Sequence, residues 1–259
     1  MPSWNADQYL RFAEERTRPS RDLAARIAVD APGRVVDLGC GPGNSTRVLM
    51  DRWPNAAVSG IDSSPAMIEA ARRDYPMGSW RIGDIAAWAV EGGPSFDVVY
   101  SNAALQWVAD HAALYPGLLA RVSPGGALAI QIPANIGAPA HAAMRELAAS
   151  ASWRDYFPVD GVREWHAHPP EFYYDLLAGT ASAIDLWHAE YFHVLDGAEA
   201  VVEWYRGTGL RPFLDLLPSD ESRLRFEADY LERIRSLYPE RPDGRVLFPF
   251  LRLFLIAYR

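Results

Sequence analysis

Short β-branched runs alternate with stretches whose apolar residues recur at helical spacing. Arg34-Val35-Val36-Asp37-Leu38, set off by Pro32-Gly33, predicts a buried strand. Ala57 to Ile61, closing on Asp62, predicts a second strand, Trp80-Arg81-Ile82 a third, Phe96 to Tyr100 a fourth and Ala127 to Ile132 a fifth. Helices fill the gaps, from about Asn44 to Arg52 and from Ser64-Pro65 to about Asp74. The second has serine at the cap and proline at its first position. A third helix, His111 to Arg121, is expected to end in a turn at Ser123-Pro124-Gly125-Gly126. Residues 5 to 30 read as helical, with Tyr9, Phe12, Leu23, Ile27 and Ala28 as apolar positions and Pro19 restarting the helix. Short connections favour parallel strands with crossover helices on both faces.

The pattern changes after Pro133. Residues 138 to 180 read as mainly helical and aromatic, and Ala183 to Leu195 as a sixth strand. Residues 197 to 238 return to helix; one begins near Ser219-Asp220-Glu221 and carries Leu224, Ala228, Leu231, Ile234 and Tyr238. Val246 to Ala257 reads as a final strand or pair of strands. The expected fold class is α/β, an open, doubly wound, mostly parallel sheet with an inserted helical cap. A single domain over 1–259 is expected. Its core spans about 31–133 and is completed by strands at about 183–195 and 246–258; the cap comprises about 1–30, 134–182 and 196–245.

Composition narrows the function. The chain has 259 residues, 49% apolar and 22% charged, with a formal charge of −8. That acidic balance argues against a nucleic-acid footprint or an anionic-membrane binder. Every basic side chain is arginine, so neither a phosphate-loop lysine nor a catalytic lysine is available. The one cysteine, Cys40, excludes disulfide frameworks and cysteine-based zinc sites. No metal is expected, because His166-x-His168 lacks a nearby third ligand. The N-terminus has no signal-peptide pattern, and the longest apolar run is broken by Pro249 and Arg252, so a cytoplasmic location is expected. Asn44-Ser45-Thr46 is then an accidental sequon.

The most informative segment is Asp37-Leu38-Gly39-Cys40-Gly41-Pro42-Gly43-Asn44, which follows a strand and opens a helix. Its glycines allow a sharp bend and close approach of a ligand, and the helix beyond offers free N–H groups. A dinucleotide fingerprint needs Gly-x-Gly-x-x-Gly, but Asn44 holds the third position. Asp37 would repel a pyrophosphate and suits an ammonium group. That charge preference points to an amino-acid-bearing cofactor, S-adenosylmethionine. Asp62 can accept both ribose hydroxyls, a role that nicotinamide sites share, with Ser63 and Met67 beside it. Asp84 could accept the adenine amino group while Ile85 packs near the ring. Asn102 lies beyond the fourth strand, where an open parallel sheet places its reaction centre. Plain structural readings compete: a strand-end Asp62, a turn at Gly83-Asp84 and a small loop residue at Cys40.

Asp37 to Gly43, Gly60-Ile61-Asp62-Ser63-Ser64-Pro65, Gly83-Asp84-Ile85 and Ser123-Pro124-Gly125-Gly126 together resemble the class I S-adenosylmethionine-dependent methyltransferases. A second set resembles the trans-aconitate 2-methyltransferases: Trp4-Asn5 with Tyr9-Leu10, Glu15 to Pro19, Gly43 to Thr46, Ala104 to Trp107, Tyr173-Tyr174-Asp175, Thr208 to Pro212 and Arg252-Leu253-Phe254. The Asn/Asp-Pro-Pro-Tyr signature of amino-group methyltransferases is missing; Ser101-Asn102-Ala103-Ala104 stands instead. The resemblance implies methyl transfer to a carboxylate of trans-aconitate, giving a monomethyl ester and S-adenosylhomocysteine. A carboxylate is already ionised at neutral pH, so no catalytic base is expected. Arg211 and Arg252 are the expected carboxylate holders, with His193 and Tyr173 as further substrate contacts. Trp4 and Tyr9 are expected in an N-terminal lid. The alternatives are another small-molecule acceptor, a nicotinamide-linked oxidoreductase and a noncatalytic binding protein.

Overall fold

The structure is a computed structural model and describes residues 12–158, 162 and 165–259. The expected lid residues Trp4 and Tyr9 lie outside them. The elements run α1 (Ala13–Arg26), β1 (Arg34–Leu38), α2 (Asn44–Arg52), β2 (Ala57–Asp62), α3 (Pro65–Asp74), β3 (Ser79–Ile82), α4 (Ile85–Val90), β4 (Phe96–Asn102), α5 (His111–Ala120) and β5 (Val122–Pro133). After these come α6 (Pro139–Ala148), α7 (Pro170–Leu177), β6 (Ala183–Leu195), α8 (Gly197–Arg206), α9 (Arg211–Leu214), α10 (Asp220–Leu237) and β7 (Val246–Tyr258). The strand order is β3-β2-β1-β4-β5-β7-β6. Strands β1 to β5 are parallel, and β7 runs antiparallel to β5. This is the expected α/β sheet.

The chain divides into two compact units. Among the described residues the larger comprises 12–133, 166–189 and 252–259, and so contains β1 to β5, α1 to α5 and α7. The smaller holds 134–158, 162, 165 and 190–251, with α6, α8, α9 and α10. In the larger unit the central strands are buried on both faces, which is why β1 and β4 read as continuous apolar runs. In the smaller unit α10 packs against α6 and α8 and buries Phe226, Tyr230 and Ile234. Its start is set by a Ser219–Ser222 capping box.

Three local expectations differ from the structure. Ser123 to Gly126 lies inside β5, which begins at Val122; the β4 register shifts there, so the segment is an irregularity of the strand rather than a turn before it. Gly126 allows this because a Cβ would lie 2.5 Å from the Asp97 carbonyl oxygen. Helix α1 runs through Pro19 without restarting, at the expense of one hydrogen bond to the Glu15 carbonyl. Between residues 138 and 180 the described helices are α6, α7 and a 3-10 turn at Arg154–Tyr156.

One indole organises the sheet edge beneath the glycine loop. Trp80 packs with Cys40, Ile68 and Ala71. A Cβ at Gly60 or Gly78 would lie 2.5 Å from this ring, and one at Gly43 would lie 3.0 Å from it.

Candidate functional site

The loop after β1 is fixed from both sides. Gly39 and Cys40 donate backbone N–H groups to the Ile61 carbonyl, at 2.8 and 3.1 Å. Gly39 has φ +71° and a Cβ there would lie 2.2 Å from the Ala104 Cβ, so only glycine fits. Gly41, by contrast, has no atom within 4 Å of where its Cβ would be, leaving space against the backbone. Gly43 takes the left-handed conformation that starts α2, and no side chain caps that helix.

The two acids do different work. Asp62 accepts N–H groups from Gly41 at 2.9 Å and from Ser64 at 2.8 Å, one on each oxygen, and so ties β2 to the loop. Burial pushes its carboxyl above the usual range against those two bonds. Asp37 is fully buried, and its Oδ2 accepts hydroxyls from Ser45 and Thr46, both at 2.6 Å. Its Oδ1 is buried without a partner. Desolvation pushes Asp37 up to about 6, against the pull of the two hydroxyls.

Beside Asp37 lies a small cradle lined by Gly39, Gly41, Asn44, Ser45 and Asn102, and by Arg16, Thr17 and Ser20 of α1. Helix α1 is held there because Tyr100 of β4 donates its hydroxyl to the Ser20 carbonyl at 2.9 Å. Asn102 has a buried Oδ1 without a partner. The next residue, Ala103, sits at φ 55°, a costly conformation for a residue with a Cβ. Orphaned oxygens on Asp37 and Asn102, an open Gly41 and a buried arginine fit a zwitterionic amino-acid group, with its ammonium near the acid. Arg16 and its α1 neighbours were not among the expected ligands. Glu15 to Pro19 entered only through the family resemblance, with no ligand role attached; the Tyr100 tether and the packing of α1 on α2 and β5 bring Arg16 to the loop.

Ser63 is exposed; Met67 is buried in the first turn of α3. Asp84 caps α4 by accepting from Ala87 N at 2.9 Å, and Ile85 is buried against the Gly39 position. Cys40 is buried, with its thiol pushed up, which makes it a poor nucleophile. Among the described residues no side-chain group suits a metal ion.

Of the expected substrate contacts, Arg252 is buried and donates to the Gln131 Oε1 at 3.3 Å. Arg211 bonds Asp215 at 2.7 Å. His193 is buried among the rings of Trp204, Phe248 and Phe250. The buried Tyr173 hydroxyl lies 2.9 Å from His111 Nδ1 and accepts the His168 N–H at 3.1 Å. His111 Nε2 lies 2.9 Å from the Leu105 carbonyl, so donation there leaves Nδ1 to accept from Tyr173. These bonds, with that from His166 N to the Gln106 carbonyl, brace the loop after β4.

A parallel sheet with a glycine bend after β1, an acid ending β2 and orphaned acceptors at the strand ends defines a class I methyltransferase. Residues 35–126 match the family model described as a methyltransferase domain. Full-length relatives narrow the class. The chain is 48% identical over 260 residues to the trans-aconitate 2-methyltransferase of Azoarcus sp. (strain BH72), covering 100% of both chains. It is also 48% identical to that of Paracidovorax citrulli, covering 100% of this chain and 99% of the relative. The chain belongs to the trans-aconitate 2-methyltransferase family. The fold is shared with the YcgJ protein of Bacillus subtilis, at TM-score 0.58 and 14% identity over 93% of this chain and 99% of that one.

Proposed function

We propose that this enzyme esterifies a carboxylate of trans-aconitate, the acid named for its relatives, using S-adenosylmethionine as methyl donor. The observation that carries the reading is the buried Asp37 with its orphaned Oδ1 beside the glycine bend. An anion so placed opposes a diphosphate and favours an ammonium. Asp37, Gly39, Gly41, Gly43, Asn44 and Asn102 would hold the amino-acid portion of the donor, together with Arg16. Asp62, Ser63, Met67, Asp84 and Ile85 would face the nucleoside. The donor supplies an electrophilic methyl group on a positively charged sulfur.

The acceptor oxygen is already anionic at neutral pH, so the protein's contribution is alignment and exclusion of water. Holding two reactants in register can supply roughly 7–11 kcal/mol. The acceptor contacts expected from the sequence are Arg211, Arg252, His193 and Tyr173, since arginine binds carboxylates through two parallel bonds. Neither a metal nor a general base has a part in this reading. Among the described residues no helix is long and apolar enough to cross a membrane. We place the enzyme in the cytoplasm, acting on a small polycarboxylate rather than on nucleic acid or a membrane. Incubation with labelled donor and a panel of polyacids, followed by mass analysis, tests this. The monomethyl ester of trans-aconitate is expected; label transferred only to other acids, or to none, overturns it.

A further inference from the structure

The smaller unit contains a recess of about 850 Å³, within the roughly 300–1,000 Å³ typical of small-molecule pockets. His141 and Arg145 line it from successive turns of one face of α6. Trp165 and Phe213 supply aromatic wall, and Arg154 stands on the rim.

The imidazole of His141 is held in place on several sides. Trp165 meets it edge-on at 4.7 Å and Tyr205 at 4.9 Å. A Cβ at Gly209 would lie 2.9 Å from its Cε1, so the Thr208-Gly209-Leu210-Arg211-Pro212 segment contributes a glycine that makes room for the ring. His141 Nε2 is buried without a partner. Burial, with the charge of Arg145, pushes the ring down to about 4, so it is neutral at physiological pH.

Among the described lining residues the charge is unbalanced. Arg145 donates to the Ile136 carbonyl at 3.2 Å, and among the described residues no carboxylate pairs with it. Arg154 stands 3.9 Å from Asp155, beyond hydrogen-bond range. Asp155 is the one carboxylate among the described lining residues, and its side chain is 91% exposed. Two guanidinium groups at an aromatic-walled recess suit a small organic polyanion with a carbon skeleton.

We propose that this recess, which none of Arg211, Arg252, His193 and Tyr173 lines, seats the acceptor in place of those four, its carboxylates on Arg145 and Arg154 and its skeleton against Trp165 and Phe213. This rests on the reading of the chain as a carboxyl methyltransferase. It adds specificity-determining residues that none of the motifs in the sequence marked.

The test is calorimetric titration of trans-aconitate into the full chain saturated with S-adenosylhomocysteine. Wild type is compared with Arg145→Gln, Arg145→Lys and Ala149→Trp; Ala149 is an exposed lining residue whose enlargement fills the recess. The glutamine and tryptophan variants are expected to bind at least fivefold more weakly and to raise KM in proportion. Lysine should restore part of the loss, and S-adenosylhomocysteine affinity should stay unchanged. A change below fivefold in either the glutamine or the tryptophan variant overturns the proposal. Should one fail to fold, by its thermal transition, the other decides. A wild type that binds trans-aconitate with these sensitivities yet forms no ester refutes the functional reading and leaves the recess standing. A wild type that forms the ester while both variants keep its KM refutes the recess alone. No binding by wild type refutes the recess.

Discussion

Replacing Asp37 by asparagine removes a charge buried at zero exposure while keeping the side chain's size. The distance from an ordinary value of 3.8 to about 6, at 1.36 kcal/mol for each tenfold change in proton concentration, amounts to about 3 kcal/mol. The sign follows from proton counting. Between about pH 4 and pH 6 the folded chain keeps a proton on Asp37 that the unfolded chain has released. Stability therefore falls as pH rises through that window and is flat above it. Unliganded Asp37→Asn is expected to be more stable than wild type at pH 7.5, by up to about 3 kcal/mol, and by only about 1 kcal/mol at pH 4.5. Binding should move the other way. An ammonium beside the ionised acid repays its burial, so wild-type affinity for S-adenosylhomocysteine should strengthen from pH 5 to pH 7 with release of a proton. The variant should bind at least tenfold more weakly at pH 7.5, an energy of about 1.4 kcal/mol, with a flat pH profile across that range. Urea denaturation at the two pH values and calorimetry at three provide the measurements. An asparagine variant less stable than wild type at pH 7.5, or one with wild-type affinity and pH profile, refutes the reasoning.

Asp62→Ala deletes the acceptor of both the Gly41 and Ser64 N–H groups and is expected to weaken S-adenosylhomocysteine binding at least tenfold by calorimetry; unaltered affinity would separate Asp62 from the donor. Gly39→Ala places a methyl 2.2 Å from the Ala104 Cβ at a positive φ and should cost about 1–3 kcal/mol in chemical denaturation; a variant as stable as wild type would show that the loop has room to spare. Tyr173→Phe strips the His111 Nδ1 and His168 N–H of their shared hydroxyl. It is expected to lower stability by about 1–3 kcal/mol, and an unchanged urea midpoint would contradict the bracing of the loop after β4.

Elements whose cause is local were legible from the chain. Ser64 caps α3 with Pro65 at its first position as their chemistry requires, and the β-branched runs of β1 and β4 announced strands buried on both faces. Helix α4 escaped notice because six residues are too few to display a helical period. Ser123 to Gly126 has turn composition, yet pairing with β4 resumes around it, and that depends on a neighbouring strand rather than on the segment. At the site, the glycines and acids declared themselves through charge and spacing. Arg16, though part of a family motif, showed no ligand role, because its approach depends on long-range packing of α1 and on a hydrogen bond between residues 20 and 100. The His141 recess was equally silent, being assembled from positions more than sixty residues apart.

The indole of Trp80 couples positions that never meet in the sequence. Gly43 belongs to the ligand loop, whereas Gly60 and Gly78 do not, yet all three are confined by the same ring. Trading Trp80 for a short aliphatic residue would remove the nearest obstacle at 60 and 78 together, whereas Gly43, at φ +97° and with its Cβ position 2.7 Å from the Tyr75 ring, would stay confined; keeping Trp80 forbids alanine at 60 and 78 however the ligand changes. In a lineage of such enzymes, tolerance at position 60 therefore tracks what occupies positions 80 and 40 together, the Cys40 Sγ standing 2.9 Å from a Cβ there, and a glycine kept at 60 records the width of its neighbours.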